Sequence, residues 1–213
     1  MKWCRFQVNG VAKYGLVGGD QITQVEGDPF NGYQETPNRF TLDQVKLLVP
    51  VVPPTLYAGG LNYPDHVVWA AKHAGTAPAW PKEPIVGTRA VSGLIAHEET
   101  IIKPKDATEE FQYEGELVAV IGKPAKHLSR KDALSCVLGY TIGNDVSERT
   151  WQRDDPNNWR AKDSDTFHPM GPFIATGLDP NVALAAMTGA AAEISGAGDH
   201  AGVLAVGRDA DFV

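Results

Sequence analysis

Two carboxylates stand two residues apart at the head of an apolar, β-branched run, Phe111-Gln-Tyr-Glu-Gly-Glu-Leu-Val-Ala-Val-Ile-Gly-Lys123. The side-chain period of a strand is two, so Glu114 and Glu116 project to one face, and Gly115 between them leaves room for close backbone approach. Like charges held together call for a cation. Oxygen donors with no nearby cysteine and no paired histidine favour a hard divalent ion, Mg²⁺ or Mn²⁺ ahead of Zn²⁺. The competing reading is an acidic strand end facing water. Asp145 ends a second strand-like run, Tyr140-Thr-Ile-Gly-Asn-Asp145. It joins the first two acids if the strands are neighbours, and is otherwise a turn or cap residue. Three carboxylates with one divalent ion leave one negative charge, which the ammonium of Lys162 would cancel, although a surface lysine fits the spacing equally. His66 opens a helix with nothing local to orient it, and on its own such a histidine is more often structural or exposed than catalytic.

The elements that must position these residues are short. Residues 2–8, 12–17 and 21–25 read as strands separated by Asn9-Gly10 and Gly18-Gly19-Asp20, a small β unit with hairpin turns. Residues 27–40 have loop composition, and Thr41 caps an expected helix over Leu42 to Leu48 that stops before Pro50. A strand ending near Gly60 leads into a helix with Pro64 in its first turn and Gly75 as its C-terminal cap. On that helix Trp69 reads as packing. Residues 76–84 are a Pro-rich loop, and Ser92 to Ile102 a turn followed by a strand. Ser129 and Asp132 resemble a capping box opening a helix to about Leu138, ended by Gly139. Residues 153–161 read as a loop, and Pro172 to Thr176 as a strand.

The chain has 213 residues, 43% of them hydrophobic and 21% charged, the balance of an ordinary soluble protein with one substantial core. A formal charge of −7 argues against nucleic acid or an anionic membrane as partner, because both need a concentrated basic surface. Cys4 and Cys136 are far apart and form no CxxC pair, which fits a reducing compartment. No apolar run approaches the ~18 residues that suggest a membrane span, and a cytoplasmic location is expected.

Four stretches, Gly60-Leu-Asn-Tyr-Pro-Asp-His66, Tyr113 to Lys123, Gly139-Tyr-Thr-Ile-Gly-Asn-Asp-Val-Ser-Glu-Arg149 and Lys162-Asp-Ser-Asp-Thr-Phe-His-Pro-Met-Gly-Pro172, together resemble the fumarylacetoacetate hydrolase family and occur in its order. The resemblance covers residues 55–180, with a weaker likeness over residues 1–50. It implies a mainly β fold with few helices, a mixed β-roll or sandwich, and a homodimer. It also implies a Mg²⁺ or Mn²⁺ site. Matched one at a time, Glu114, Glu116 and Asp145 fall on the family's metal carboxylates and Lys162 on its site lysine. Arg149 and Gln152 fall on substrate-contacting positions, Thr166 lies near the metal's outer shell, and His66 falls on the histidine that activates water. Implied substrates are 2-oxo acids and 1,3-dicarbonyl compounds such as acylpyruvates, cleaved by hydrolysis of a carbon–carbon bond. Isomerisation, decarboxylation or a catalytically inactive metal-binding remnant stand as alternatives.

Three departures qualify this. Many bacterial-type members carry an acid three residues after the histidine, where it shares a helix face with the imidazole; here that residue is Trp69. A Lys-Pro pair before the Ser92 region is replaced by Thr88 and Arg89. The family's closing Thr-Gly-Thr-Pro loop is not found after residue 176. Residues 181–213 instead read as an Ala-rich helix capped by Asn181 and running to about Ser195, then a segment resembling the end of metal-dependent amidohydrolases. The expectation is therefore a fold incomplete at its C-terminal end, carrying a tail of foreign resemblance. No amidohydrolase activity follows, because no His-x-His occurs.

Overall fold

The computed structural model describes residues 1–185. Local sequence dictates its first hairpins. Asn9 and Gly10 both take positive φ, 51° and 78°, the turn that suits the right-handed twist of flanking strands. They join β1 (Lys2–Val8) to β2 (Val11–Gly18), and Gly19 turns β2 into β3 (Gln21–Asp28). Residues 27–40 are not a loop. Asp28 accepts the N–H groups of Phe30 at 2.7 Å and Asn31 at 2.8 Å, and this turn feeds β4 (Gly32–Thr41). Pro37 and the polar residues that suggested a loop are tolerated because β4 is a sheet edge, with one side of its ladder open to water. The helix expected over Leu42 to Leu48 is only a 3-10 turn, Leu42–Gln44, followed by β5 (Lys46–Leu48).

After residues 49–55 come β6 (Leu56–Gly60), helix α1 (Pro64–Ala74) and β7 (Ile85–Arg89). The α1 boundaries are those its Pro and Gly signals predict, with Gly75 left-handed at the C-terminus. Ser92 to Ile102 yields only a 3-10 turn and β8 (Leu94–Ile95). The remaining elements are β9 (Phe111–Gln112), β10 (Gly115–Ile121), β11 (Val137–Asn144), β12 (Ser147–Glu148), helices α2 (Arg149–Gln152) and α3 (Trp159–Lys162), β13 (His168–Pro169), β14 (Phe173–Thr176) and α4 (Pro180–Ala185). The helix expected from Ser129 to Leu138 shrinks to a 3-10 turn, Ala133–Cys136. Gly139 lies inside β11 rather than ending a helix: a side chain there would put Cβ 2.4 Å from the Ala175 carbonyl oxygen, so the glycine lets β14 approach. At α4 the capping carboxylate is that of Asp179, which accepts the Asn181 N–H at 2.8 Å. The rest of the expected Ala-rich helix and the terminal segment lie outside the described residues.

The main sheet runs β10-β11-β14-β1-β2-β3-β4, antiparallel throughout, with β5 also on β1. The N-terminal strands therefore share one sheet with strands from the far end of the chain. Both faces of β1 are covered. Trp3 packs with Val25, Val120 and Ile174 on one side, and Cys4 and Phe6 with Ile22 on the other. Fully burying each such side chain contributes about 1.5–3 kcal/mol, so β1 anchors the fold. A parallel bridge between β13 and β8 makes the architecture mixed. The fold is mainly β, as the sequence implies.

Candidate functional site

Register brings the acids together. In the β10–β11 pair Gly115 faces Asn144 and Glu116 faces Gly143, so Glu114 and Asp145 flank the same end of the ladder. Two crossing bonds lock that end: Asp145 N–H donates to the Glu114 carbonyl at 2.9 Å, and Glu114 N–H donates to Asn144 Oδ1 at 2.9 Å. The ladder then breaks and resumes as the short β9–β12 pair, which leaves both carboxylates at the break. Gly115 plays a smaller part than its spacing suggests, since a Cβ there meets nothing within 4 Å.

Lys162 arrives on α3, in residues expected to be a loop. Asp155 Oδ2 caps that turn by accepting the N–H groups of Arg160 and Ala161, at 2.7 and 3.1 Å. The Lys162 ammonium is thereby carried into the interior, where it donates to Glu114 Oε1 and Asp145 Oδ2, 2.8 Å each, with 5% of the residue exposed. Arg149, at the start of α2, places Nη1 2.6 Å from Glu114 Oε1 and donates to Gln152 Oε1 at 2.9 Å, so Gln152 reaches the acids through it. Ser147 Oγ also donates to Glu114, at 3.0 Å. His66 is half-buried on α1, close enough to feel the charges of Glu114, Arg149 and Lys162; burial holds its imidazole below the usual value. Its ring neighbour is Trp69, at 6.2 Å between centroids, and among the described residues no acid hydrogen-bonds it. Thr166 is not brought to the cluster: its Oγ1 accepts the Ile102 N–H at 2.9 Å and ties down a loop.

Three participants escaped the sequence reading. Arg89, at the end of β7, forks onto Asp145, Nε to Oδ1 at 2.7 Å and Nη2 to Oδ2 at 2.9 Å. Burial would raise the Asp145 carboxyl, but Arg89 and Lys162 outweigh it and hold the group below the ordinary carboxylate value. His168 is buried, with Nε2 2.9 Å from Asp163 Oδ1 and Nδ1 3.8 Å from Asp145 Oδ1. Tyr63, the residue before α1, accepts the Leu117 N–H at 3.1 Å and hydrogen-bonds Glu116. Only the departure at Thr88-Arg89 pointed toward any of these.

Glu116 differs from the other two acids. Burial, reinforced by the charges of Glu114 and Asp145 and only partly offset by Tyr63 and Lys162, pushes its carboxyl up to about 7. A carboxyl that burial and two neighbouring acids make reluctant to ionise marks a place where added positive charge is welcome. Carboxylate oxygens with no thiolate nearby are the donors a hard divalent ion prefers. Among the described residues no three acids, histidines or cysteines form a ready cage; lysine and arginine nitrogens hold the oxygens of Glu114 and Asp145 instead. The donor chemistry of Glu114, Glu116 and Asp145 fits such an ion. A groove of about 960 Å³ opens over this face, lined by Tyr57, Asn62, Arg89, Glu116, Asp145 and His168, a size suited to a small ligand. No helix among the described residues is long and apolar enough to cross a membrane.

Residues 1–50 match the family described as Rv2993c-like, N-terminal. Over 147 residues the chain is 42% identical to a fumarylacetoacetate hydrolase domain-containing protein 2 homolog of Dictyostelium discoideum, which is 68% of this chain and 45% of that protein. It is 34% identical over 137 residues to the oxaloacetate tautomerase YisK of Bacillus subtilis, 63% of this chain and 44% of that one. The chain thus spans about half the length of the curated relatives it matches. Among solved structures it resembles a 5-carboxymethyl-2-hydroxymuconate delta-isomerase from Mycobacterium smegmatis, with TM-score 0.74 and 34% identity over 85% of this chain and 69% of that one. With residues 55–195 matching the fumarylacetoacetate (FAA) hydrolase C-terminal domain, the chain belongs to the fumarylacetoacetate hydrolase family.

Proposed function

We propose that this protein interconverts enol and keto forms of, or shifts a double bond in, a small 2-oxo dicarboxylic acid, with Mg²⁺ or Mn²⁺ held by Glu114, Glu116 and Asp145. The observation that carries the reading is Lys162, whose buried ammonium is fixed 2.8 Å from Glu114 and from Asp145. When bound, the divalent ion supplies Lewis-acid stabilisation of the negative charge that develops on the 2-oxo oxygen. Lys162 Nζ delivers one proton to the substrate carbon and recovers one from the enol hydroxyl, so the protons balance. Arg89 and Arg149 add positive charge beyond what the three acids and the ion require, and a dianion matches that surplus. The groove lined by Arg89, Glu116 and Asp145 offers room for the substrate.

Relatives named as an oxaloacetate tautomerase and a hydroxymuconate isomerase support this class over carbon–carbon hydrolysis. So does His66. Attack by water needs an oriented base, and the residue that would orient His66 is Trp69, which stacks on His73 at 4.0 Å instead. The test follows the decay of enol-oxaloacetate absorbance with Mg²⁺-loaded protein, with acylpyruvate hydrolysis measured in parallel. Wild type accelerates tautomerisation, Lys162→Met loses about 10²- to 10⁴-fold of that rate, and hydrolysis stays near background. Trp69→Glu, by placing an acid at the i+3 position, raises hydrolysis. A folded, Mg²⁺-loaded wild type that leaves tautomerisation at the buffer rate sinks the proposal.

A further inference from the structure

Arg89 is built into the site with more care than a surface arginine needs. The four residues before it in β7 are exposed, yet its own side chain is only 10% exposed. The backbone just after it is pinned: Ala90 N–H donates to Asp163 Oδ1 at 2.8 Å, and His168 Nε2 holds that same oxygen at 2.9 Å. His168 in turn fits only because residue 93 is glycine, where a Cβ would stand 2.7 Å from His168 Cδ2. This bracket aims the guanidinium at both oxygens of Asp145, one of which also takes Lys162. A carboxylate offers about four acceptor positions, and three are already spoken for.

We propose that Arg89 is the internal counter-ion of this site: it competes with a divalent cation for Asp145, and so couples binding of the cation to binding of an anionic substrate. The inference rests on the metal reading above and deepens it. Two cations at one carboxylate repel, so the fork lowers cation affinity in the free protein. An anionic substrate that engages the guanidinium removes the competition and tightens the cation, and by linkage the cation tightens the substrate equally. Empty of both, the site keeps its buried acid paired.

The test is titration of Mn²⁺ into chelator-stripped protein, with free Mn²⁺ read by electron paramagnetic resonance, with and without oxalate as the anionic probe. Wild type, Arg89→Gln and Asp145→Asn are compared; glutamine keeps a donor for Asp145 while removing the charge. Without oxalate, Arg89→Gln binds Mn²⁺ at least about tenfold more tightly than wild type, and oxalate then tightens Mn²⁺ less in the variant than in wild type. Equal or weaker binding by Arg89→Gln, beside saturable wild-type binding that Asp145→Asn abolishes, overturns the counter-ion and leaves the metal reading standing. No saturable binding in wild type or Arg89→Gln overturns both. Should Arg89→Gln not fold, the wild-type Arg89 Nε–H resonance, assigned by its loss in Arg89→Lys, carries the test. It shifts from its Asp145-bound position as Mg²⁺ and oxalate saturate, because the guanidinium passes from Asp145 to the anion, and a resonance that stays fixed refutes the proposal.

Discussion

Replacing Lys162 with methionine tests the centre of the site through stability alone. Methionine keeps an unbranched apolar stem and deletes the ammonium. The lysine makes two charge-assisted hydrogen bonds of 2.8 Å, each worth about 1.5–3 kcal/mol when a charged group is involved. Their sum overstates the loss, because neither acid is left alone. Glu114 keeps Arg149 at 2.6 Å and Ser147 at 3.0 Å, and Asp145 keeps the Arg89 fork. What returns is repulsion between two partly desolvated carboxylates, so the cost falls near the low end, about 2–3 kcal/mol. For a chain of this size each kcal/mol moves the midpoint by about 2–4 °C, so Tm drops by about 4–12 °C in a melt followed by circular dichroism at neutral pH. Arg153→Met is the control. Its pair with Glu110 at 2.6 Å is largely exposed, and such pairs contribute about 0–1 kcal/mol, so Tm shifts by less than about 4 °C. A Lys162→Met melt within 2 °C of wild type would refute the bridge.

Three further outcomes probe the frame around the site. Glu148 is fully buried, where its carboxylate caps α2 by accepting the Trp151 N–H at 2.7 Å and also takes the N–H of Thr108 at 3.2 Å. Burial would raise its carboxyl, but these bonds and the Thr108 hydroxyl outweigh it and lower the group below its ordinary 4.5. A carboxyl lowered on folding stabilises above its unfolded pKa and loses that contribution as pH falls through the folded one. Glu148→Gln therefore costs about 1 kcal/mol at pH 7, and urea melts of the two proteins converge as the pH is taken well below 4.5; a gap unchanged at low pH would count against the charge. Gly139→Ala drives a Cβ to within 2.4 Å of the Ala175 carbonyl and parts β11 from β14, costing about 1–3 kcal/mol in the same melts. Gly115→Ala meets open space and leaves stability within about 0.5 kcal/mol.

What the sequence could reveal divides along a physical line. The nearness of Glu114 to Asp145 could be anticipated because one neighbouring strand brings them together, although β10 begins only at Gly115, so the strand period that paired Glu114 with Glu116 does not extend to Glu114. The helix over α1 was legible because Pro64 and Gly75 act within their own turns. The longer helices expected over Leu42 to Leu48 and Ser129 to Leu138 failed for the opposite reason. Capping signals such as the Ser129–Asp132 pair start a turn, but only packing prolongs it, and β-sheet partners claimed the following residues. Gly139 looked like a helix stop and is a contact between strands, since the two uses of glycine differ only in a neighbour far along the chain.

The site's cations follow the same division. A carboxylate pair two residues apart advertises itself, whereas Arg89, Lys162 and Arg149 come from three separate elements and meet the acids across 56, 48 and 35 residues of chain. Apart from the departure at Thr88-Arg89 from the family pattern, nothing near Arg89 in sequence distinguishes it from a strand-end surface arginine. Its role is set by Asp163 and His168, which hold the next residue's backbone, and by Gly93, which makes room for the histidine. Chemistry that needs several like charges close together was readable from spacing. Of the opposite charges that make such a cluster tolerable, Lys162 was offered by charge arithmetic and Arg149 by the family resemblance, whereas Arg89 was missed, because its placement is a property of the assembled structure. That asymmetry is why the acids alone suggest a simple cation site, while the assembled structure suggests one whose occupancy is negotiated with its own arginines.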